Sequence, residues 1–158
     1  MKTLRFGVLA MGLTMVLVAQ AQSAKPGEPS TDRERLIGAW HLVHIESPGP
    51  EGKSGETPQP KGMLIYTRDG HMSVQLMYPK AAGAISNEYV LNGYEASFGS
   101  YDLDEATHTL THRVQGSVTG DLLVGKSLTH AYRFTLDGRL TIRSTRPDEH
   151  WFVVWEHD

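Results

Sequence analysis

Short segments in which apolar and polar residues alternate cover most of the chain from residue 39 to residue 157. Alternation with a period of two is typical of β-strands that bury one face, and these segments are rich in β-branched and aromatic residues. The pattern predicts eight strands, at residues 39–46, 63–67, 72–78, 98–103, 109–116, 128–136, 139–144 and 151–157.

Several connections between the predicted strands are tight turns. Arg68-Asp69-Gly70, Asp137-Gly138 and residues 104–107 contain Asp or Gly, which accept the backbone angles of hairpin turns. Strands joined by hairpins run antiparallel, and eight of them can close into a barrel that leaves no exposed sheet edge. We therefore expect an all-β fold, an eight-stranded antiparallel up-and-down barrel with room inside for side chains or one small ligand.

Two helical segments are expected beside the strands. Thr31 and Glu34 have the spacing of a capping box, which predicts a short N-terminal helical turn at residues 32–36, ended by Gly38. Residues 79–97 are too long for a hairpin, and apolar side chains recur there at near-helical spacing. This predicts a short helix at residues 86–96, between strands 3 and 4, that acts either as a lid over the barrel or as a plug in one end.

The N-terminal segment has the three parts of a secretory signal peptide. Lys2 and Arg5 precede an apolar run at residues 6–18, and Ala19 and Ala21 are suitable for signal peptidase. We expect cleavage after Ala21, which leaves no stable membrane anchor and places the protein in the periplasm or outside the cell. A polar leader at residues 22–30 then precedes one domain at residues 31–158, in which the Pro- and Gly-rich stretch 47–61 is expected to be a flexible loop.

Composition narrows the possible chemistry. The chain has 158 residues, 15 Lys and Arg against 18 Asp and Glu, and no Cys. The absence of cysteine excludes disulfides, thiolate zinc sites and cysteine nucleophiles. With a formal charge of −3 and no basic stripe, the chain is not expected to bind nucleic acid.

Several sequence segments are similar to one family. Gly38-Ala39-Trp40 resembles the G-x-W signature of lipocalins, and the wider pattern over residues 36–156 resembles the bacterial lipocalin-like domain family, a group of small calycin-type barrels. The similar segments are 62–77, 94–102, 111–117, 132–138 and Trp155-Glu156. The resemblance implies structural roles for Gly38 and Trp40 at the closed end of the barrel, and a small hydrophobic ligand inside it.

His112 is the main candidate for chemistry inside the barrel. Alternation places it on the same face as Leu110 and Val114, toward the interior. It could orient a ligand or exchange protons with it. The alternative is a structural histidine, hydrogen-bonded to a Tyr or Gln across the barrel.

Five further residues are candidate ligand-binding groups if they face inward: Tyr66, Gln75, Tyr94, Tyr101 and Arg133. A few polar groups of this kind orient a ligand in an apolar pocket. Arg133 alternates with Tyr132 and Phe134, so either the aromatic pair or the arginine faces inward. An inward Arg133 would indicate an anionic ligand.

The eight histidines do not predict a metal site. His41 and His44 point to opposite faces of a strand, while His108 and His112 are too far apart along one. The remaining histidines, His71, His130, His150 and His157, lie near strand or loop ends and are expected to be solvated. We expect no metal and no cofactor.

Three functions stay open at this point. The first is binding of a small hydrophobic molecule inside the barrel, with transport as an extension of it. The second is an isomerase or cyclase in which His112 and a tyrosine form an acid–base pair. The third is a protein-interaction module that uses the loops at residues 47–61 and 79–97.

Overall fold

The structure, a computed structural model, describes residues 31–46, 59–79 and 86–158. The predicted signal peptide and leader, most of the predicted loop at 47–61, and residues 80–85 lie outside the described residues. Within the described ranges, the elements are a helical turn, eight strands and a short 3-10 helix: α1 (Asp32–Leu36), β1 (Gly38–Glu46), β2 (Lys61–Tyr66), β3 (His71–Met77), β4 (Tyr94–Asp104), β5 (Thr109–Ser117), the 3-10 helix (Gly120–Leu122), β6 (Ser127–Phe134), β7 (Leu140–Ser144) and β8 (Phe152–His157).

The strands close into a barrel. Each strand pairs antiparallel with the next along the chain, and β8 pairs antiparallel with β1. The predicted eight-stranded antiparallel up-and-down barrel is thereby confirmed. Closure gives each of the eight described strands two hydrogen-bonded neighbours, so none of these strands presents a free edge. No helix in the described part of the chain has the length and apolar character needed to cross a membrane.

The helical turn α1 covers one end of the barrel, which we name the closed end. The Glu34 amide donates to the Thr31 hydroxyl at 3.2 Å, as the capping box predicts. Leu36 is fully buried, and its carbonyl accepts the indole N–H of Trp40 at 2.9 Å. The sequence therefore predicts both the position and the N-cap of this turn.

Alternate residues of each strand point into the barrel and form one core. The buried side chains at the closed end are Leu36, Trp40, Tyr66, Met72, Tyr101, Leu103, Leu110, Tyr132 and Leu140. Fully burying a large apolar side chain contributes about 1.5–3 kcal/mol. Two residues interrupt the pairing, Val43 in β1 and Gln115 in β5. The irregularity at Val43 changes the phase of β1, so that Ile45 faces inward beyond it, as Trp40 does before it.

The helix predicted at residues 86–96 is wrong. The Asn87 side chain accepts the amides of Tyr89 and Val90, at 2.8 and 2.9 Å, and so competes with helical hydrogen bonding. Asn92 and Gly93 have φ angles of 52° and 80°, which no right-handed helix contains. Strand β4 then begins at Tyr94, four residues before the predicted start of that strand, because this segment pairs with β3.

Candidate ligand cavity

A cavity of about 140 Å³ lies inside the barrel at the end opposite α1. An engineered apolar cavity of about 150 Å³ is large enough for benzene. The walls are mainly apolar and come from every strand. They include Ile45, Leu64, Val74, Leu76, Val114, Leu128, Ile142, Val153 and Trp155. The buried rings of Trp40, Tyr66, Tyr101 and Tyr132 do not line the cavity and belong to the core at the closed end.

A set of polar contacts, which we name the mouth network, borders the cavity. Its centre is Glu149, which accepts from the Tyr89 hydroxyl at 3.1 Å, the Trp151 indole at 3.1 Å and the Ser144 hydroxyl at 2.5 Å. Arg146 pairs with Glu149 at 3.0 Å. These hydrogen bonds hold Tyr89 and Trp151, two residues that line the cavity, against one another.

The mouth network also connects two segments that are distant in the sequence. Arg146 forms a second ion pair, at 2.6 Å, with Glu88 in the connection between β3 and β4. Hydrogen bonds from three donors and the adjacent guanidinium keep the pKa of Glu149 below its usual value, although burial acts in the opposite direction. The network therefore carries an ionised carboxylate at neutral pH and ties the β3–β4 connection to the β7–β8 connection.

His112 is buried and hydrogen-bonded across the barrel. Its Nε2 lies 2.7 Å from the Tyr66 hydroxyl. Burial, with a smaller effect of the neighbouring His130, lowers the pKa of His112 to about 3. Burial also raises the pKa of Tyr66 well above 10. Both side chains are therefore neutral at pH 7, and the hydrogen bond is the one that the structural alternative for His112 predicts.

His130 lies next to His112 in the cavity wall. The two rings are 5.2 Å apart, and the His130 ring is 5.3 Å from that of Trp151. Its Nδ1 is buried without a hydrogen-bond partner among the described residues. Burial lowers the pKa of His130 to about 4. The prediction of a solvated His130 is wrong, because its position in β6 faces the interior, two residues from the inward-facing Tyr132.

Glu95 is the cavity residue that sequence reasoning missed. It lies near the start of β4, opposite Leu76, and lines the cavity. Burial raises its pKa to about 7. Residue 95 falls within the helix predicted over residues 86–96, so it is not among the predicted strand residues. Alternation along β4 does predict its inward position, because Glu95 is in phase with the inward-facing Tyr101 and Leu103.

Of the six predicted ligand-binding residues, only His112 lines the cavity. Tyr66 and Tyr101 are buried in the core below it, with their rings 4.9 Å apart, edge to face. The Tyr101 hydroxyl donates to the Thr67 carbonyl at 2.9 Å. Both tyrosines therefore support the floor of the cavity by packing.

Gln75, Tyr94 and Arg133 do not face inward, which is the condition for their role as ligand-binding groups. For Arg133 the structure has the alternative in which Tyr132 and Phe134 face inward. All three are exposed on the outer face of the barrel. In each case the neighbours in sequence are apolar or line the cavity and occupy the inward positions, as Val74 and Leu76 do beside Gln75. An outward Arg133 removes the argument for an anionic ligand.

Gly38 and Trp40 have structural roles. Gly38 has a φ angle of 139°, and a Cβ at this position would lie 2.2 Å from the His157 ring, so the site requires glycine. Trp40 is 1% exposed and packs against the same histidine, with ring centroids 4.6 Å apart. In the described part of the chain no group of three or more His, Cys, Asp or Glu side chains could hold a metal ion.

A closed antiparallel barrel around an apolar cavity defines the class of small β-barrels that can enclose a molecule. The chain belongs to the lipocalin-like domain family, whose model matches residues 37–156. Among curated proteins, a search found no match to the chain.

Proposed function

We propose that the protein binds a small hydrophobic molecule in the barrel cavity. The observation that carries the proposal is the cavity itself, about 140 Å³ of space inside the barrel with mainly apolar walls. Ligand sites in proteins have this character, with a small number of polar groups that fix the orientation of the ligand. Here those groups are Glu95, Ser97, His112 and His130.

The other two candidate functions have less support. In an acid–base enzyme, His112 and Tyr66 would need to change protonation near neutral pH, whereas burial moves the pKa of each away from 7. A protein-interaction module would fill its barrel with its own side chains. The cavity favours binding over both alternatives.

Export and transport extend this proposal. The segment at residues 1–21 supports secretion to the periplasm or beyond, and a soluble carrier of a hydrophobic molecule would be useful there. Cell fractionation, with the mass of the mature protein, tests the point. We expect a chain that begins at Gln22, and recovery of the uncleaved chain from the cytoplasm would contradict export.

The binding proposal is tested with toluene as a probe of benzene-like size. Val153 lines the cavity, while its neighbour Val154 does not, so Val153→Phe and Val154→Phe add the same atoms to opposite faces of β8. Titration followed by the fluorescence of Trp151 and Trp155, which line the cavity, measures the affinity. We expect Val153→Phe to weaken toluene binding by about tenfold or more.

The matched variant Val154→Phe is expected to bind toluene like the unmodified chain. Native mass spectrometry of the protein purified from its own periplasm adds an independent result, because a reproducible extra mass identifies a natural ligand. Equal toluene affinity in Val153→Phe and the unmodified protein, or no toluene binding at all, would overturn binding in the cavity.

A further inference from the structure

Glu95 is the one carboxylate among the described residues that line the cavity, and no Lys or Arg lines it there. Leu76 on β3 is its register partner, and its charge acts on Tyr78, which also lines the cavity. Within the described ranges the side chain of Glu95 forms no hydrogen bond or ion pair. An ionised carboxylate without a partner in an apolar surrounding is unfavourable, and either protonation or a bound positive group removes that cost.

We propose that the cavity selects small apolar amines, and that the ammonium group of the ligand pairs with Glu95. This inference rests on the proposed function, and it specifies the chemical class of the ligand. An ammonium group offers three N–H donors to the carboxylate. The apolar part of the ligand would occupy the space between the aliphatic walls.

Two features of the cavity favour a cation over an anion. Tyr78, Tyr89 and Trp151 line it, and the faces of such aromatic rings attract cations. Arg133, which would have attracted an anionic ligand, lies on the outer face. A carboxylate ligand would instead be repelled by Glu95 and would find no compensating positive charge in the described walls.

The other titratable groups that face Glu95 do not change charge near neutral pH. Tyr78 and Tyr89 both lie in the connection between β3 and β4. Burial raises the pKa of Tyr78 to about 12 and also raises the pKa of Tyr89. On β5 and β6, the pKa values of His112 and His130 fall to about 3 and about 4. Between about pH 5.5 and about pH 8, Glu95 is thus the group in the described wall that titrates.

Three probes with one ring and different charge test the proposal. They are benzylamine, benzyl alcohol and benzoate, titrated against the full chain at about pH 8, where Glu95 is mostly ionised. We expect benzylamine to bind about tenfold tighter than benzyl alcohol and benzoate to bind most weakly. Glu95→Gln should reduce the preference for benzylamine to about twofold or less.

Asp102→Asn is the matched control for charge. Asp102 lies on the same strand as Glu95, but it is exposed on the outer face. The variant removes one negative charge from β4 and is expected to keep the full preference for benzylamine. Retention of toluene binding by Glu95→Gln shows that its cavity is intact, so that a lost amine preference is not a folding defect.

The pH dependence gives a second readout. Benzylamine stays protonated over this range, so its affinity increases with the ionised fraction of Glu95 and rises by up to about tenfold from about pH 5.5 to about pH 8. Benzyl alcohol affinity is expected to stay nearly constant. A benzylamine affinity that falls as pH rises would mean that the protonated carboxyl recognises the ligand, which would overturn the amine pairing.

The possible failures are distinguishable. If toluene and benzyl alcohol bind, and benzylamine binds no tighter in the unmodified protein than in Glu95→Gln, the amine inference is wrong and the proposed function stands. If toluene, benzylamine, benzyl alcohol and benzoate all fail to bind, the amine inference and the proposed function are both wrong.

Discussion

At the scale of single residues, the carboxyl group of Glu95 lies in the cavity wall, where burial disfavours its charged form. Burial alone raises its pKa from 4.5 to about 7. The folded protein therefore holds this proton more tightly than the unfolded chain does. By linkage, the contribution of Glu95 to stability is greatest below about pH 4.5 and is lost as the pH rises toward 7.

Glu95→Gln tests this linkage through the free energy of unfolding. We expect the variant to gain stability relative to the unmodified protein as the pH rises from about 5 to about 8. Each pKa unit corresponds to about 1.4 kcal/mol, so the gain has an upper limit of about 3 kcal/mol, and the partial exposure of the side chain reduces it. Urea unfolding at several pH values measures the difference.

The buried histidines change the pH dependence of stability equally in Glu95→Gln and in the unmodified protein, so their effect cancels when the two are compared. Asp102→Asn, the exposed control on the same strand, should show no comparable change with pH. A difference between Glu95→Gln and the unmodified protein that stays constant from about pH 5 to about pH 8 would contradict the raised pKa.

At the scale of secondary structure elements, the connections at the cavity are held by side chains. The β3–β4 connection lacks the regular hydrogen bonding of a helix. Instead, Asn87 accepts its backbone amides, and the mouth network anchors Glu88 and Tyr89 to Arg146 and Glu149. The carboxylate of Glu149 thus accepts hydrogen bonds from donors in both connections. Its substitution should therefore affect both of them.

Glu149→Ala should release the β3–β4 connection. The variant leaves the hydroxyl of Tyr89 and the indole N–H of Trp151 without their acceptor, and we expect a loss of about 1–3 kcal/mol. Hydrogen exchange should quicken at the amides of Val90 and Leu91, while the amides paired between β5 and β6 change less.

Asp148→Ala is the control for this network. Asp148 is highly exposed and lies 3.6 Å from Arg146, so its removal should cost less than about 0.5 kcal/mol. Equal exchange at Val90 and Leu91 in both variants would show that Glu149 does not hold the connection.

The strands themselves follow from local sequence, whereas the connection does not. Alternation and turn residues place all eight strands to within a few residues, because each strand buries one face. The segment 86–93 carries apolar residues at near-helical spacing. Its conformation, however, is decided by the Asn87 side chain and by the pairing of Tyr94 with Met77. These contacts compete with the helix and cannot be read from periodicity.

At the scale of the whole molecule, the closed end stabilises the barrel and leaves the cavity at the other end. Trp40 contacts α1 through the Leu36 carbonyl and packs against Phe134 of β6 and His157 of β8. It therefore joins α1, the first strand and the last strand. The large, buried indole of Trp40 fills much of the space at this end.

Trp40→Ala should destabilise the whole domain. Replacement of a buried tryptophan leaves a large void, and we expect a loss of about 3–5 kcal/mol in the free energy of unfolding, measured in urea. Leu136→Ala removes a fully exposed apolar side chain and should cost less than about 0.5 kcal/mol. Similar losses in the two variants would contradict the role of Trp40 in closing the barrel.

The sequence by itself determined the eight strands, the helical turn with its cap, and the interior position of His112. Each of these depends on residues close together in the chain, through alternation, turn chemistry and capping. The tertiary structure decided the Tyr66–His112 hydrogen bond and the burial of His130 and Glu95, because desolvation and contacts across the barrel depend on residues brought together from distant strands. The cavity belongs to this second group, since it is the space left when all eight strands close.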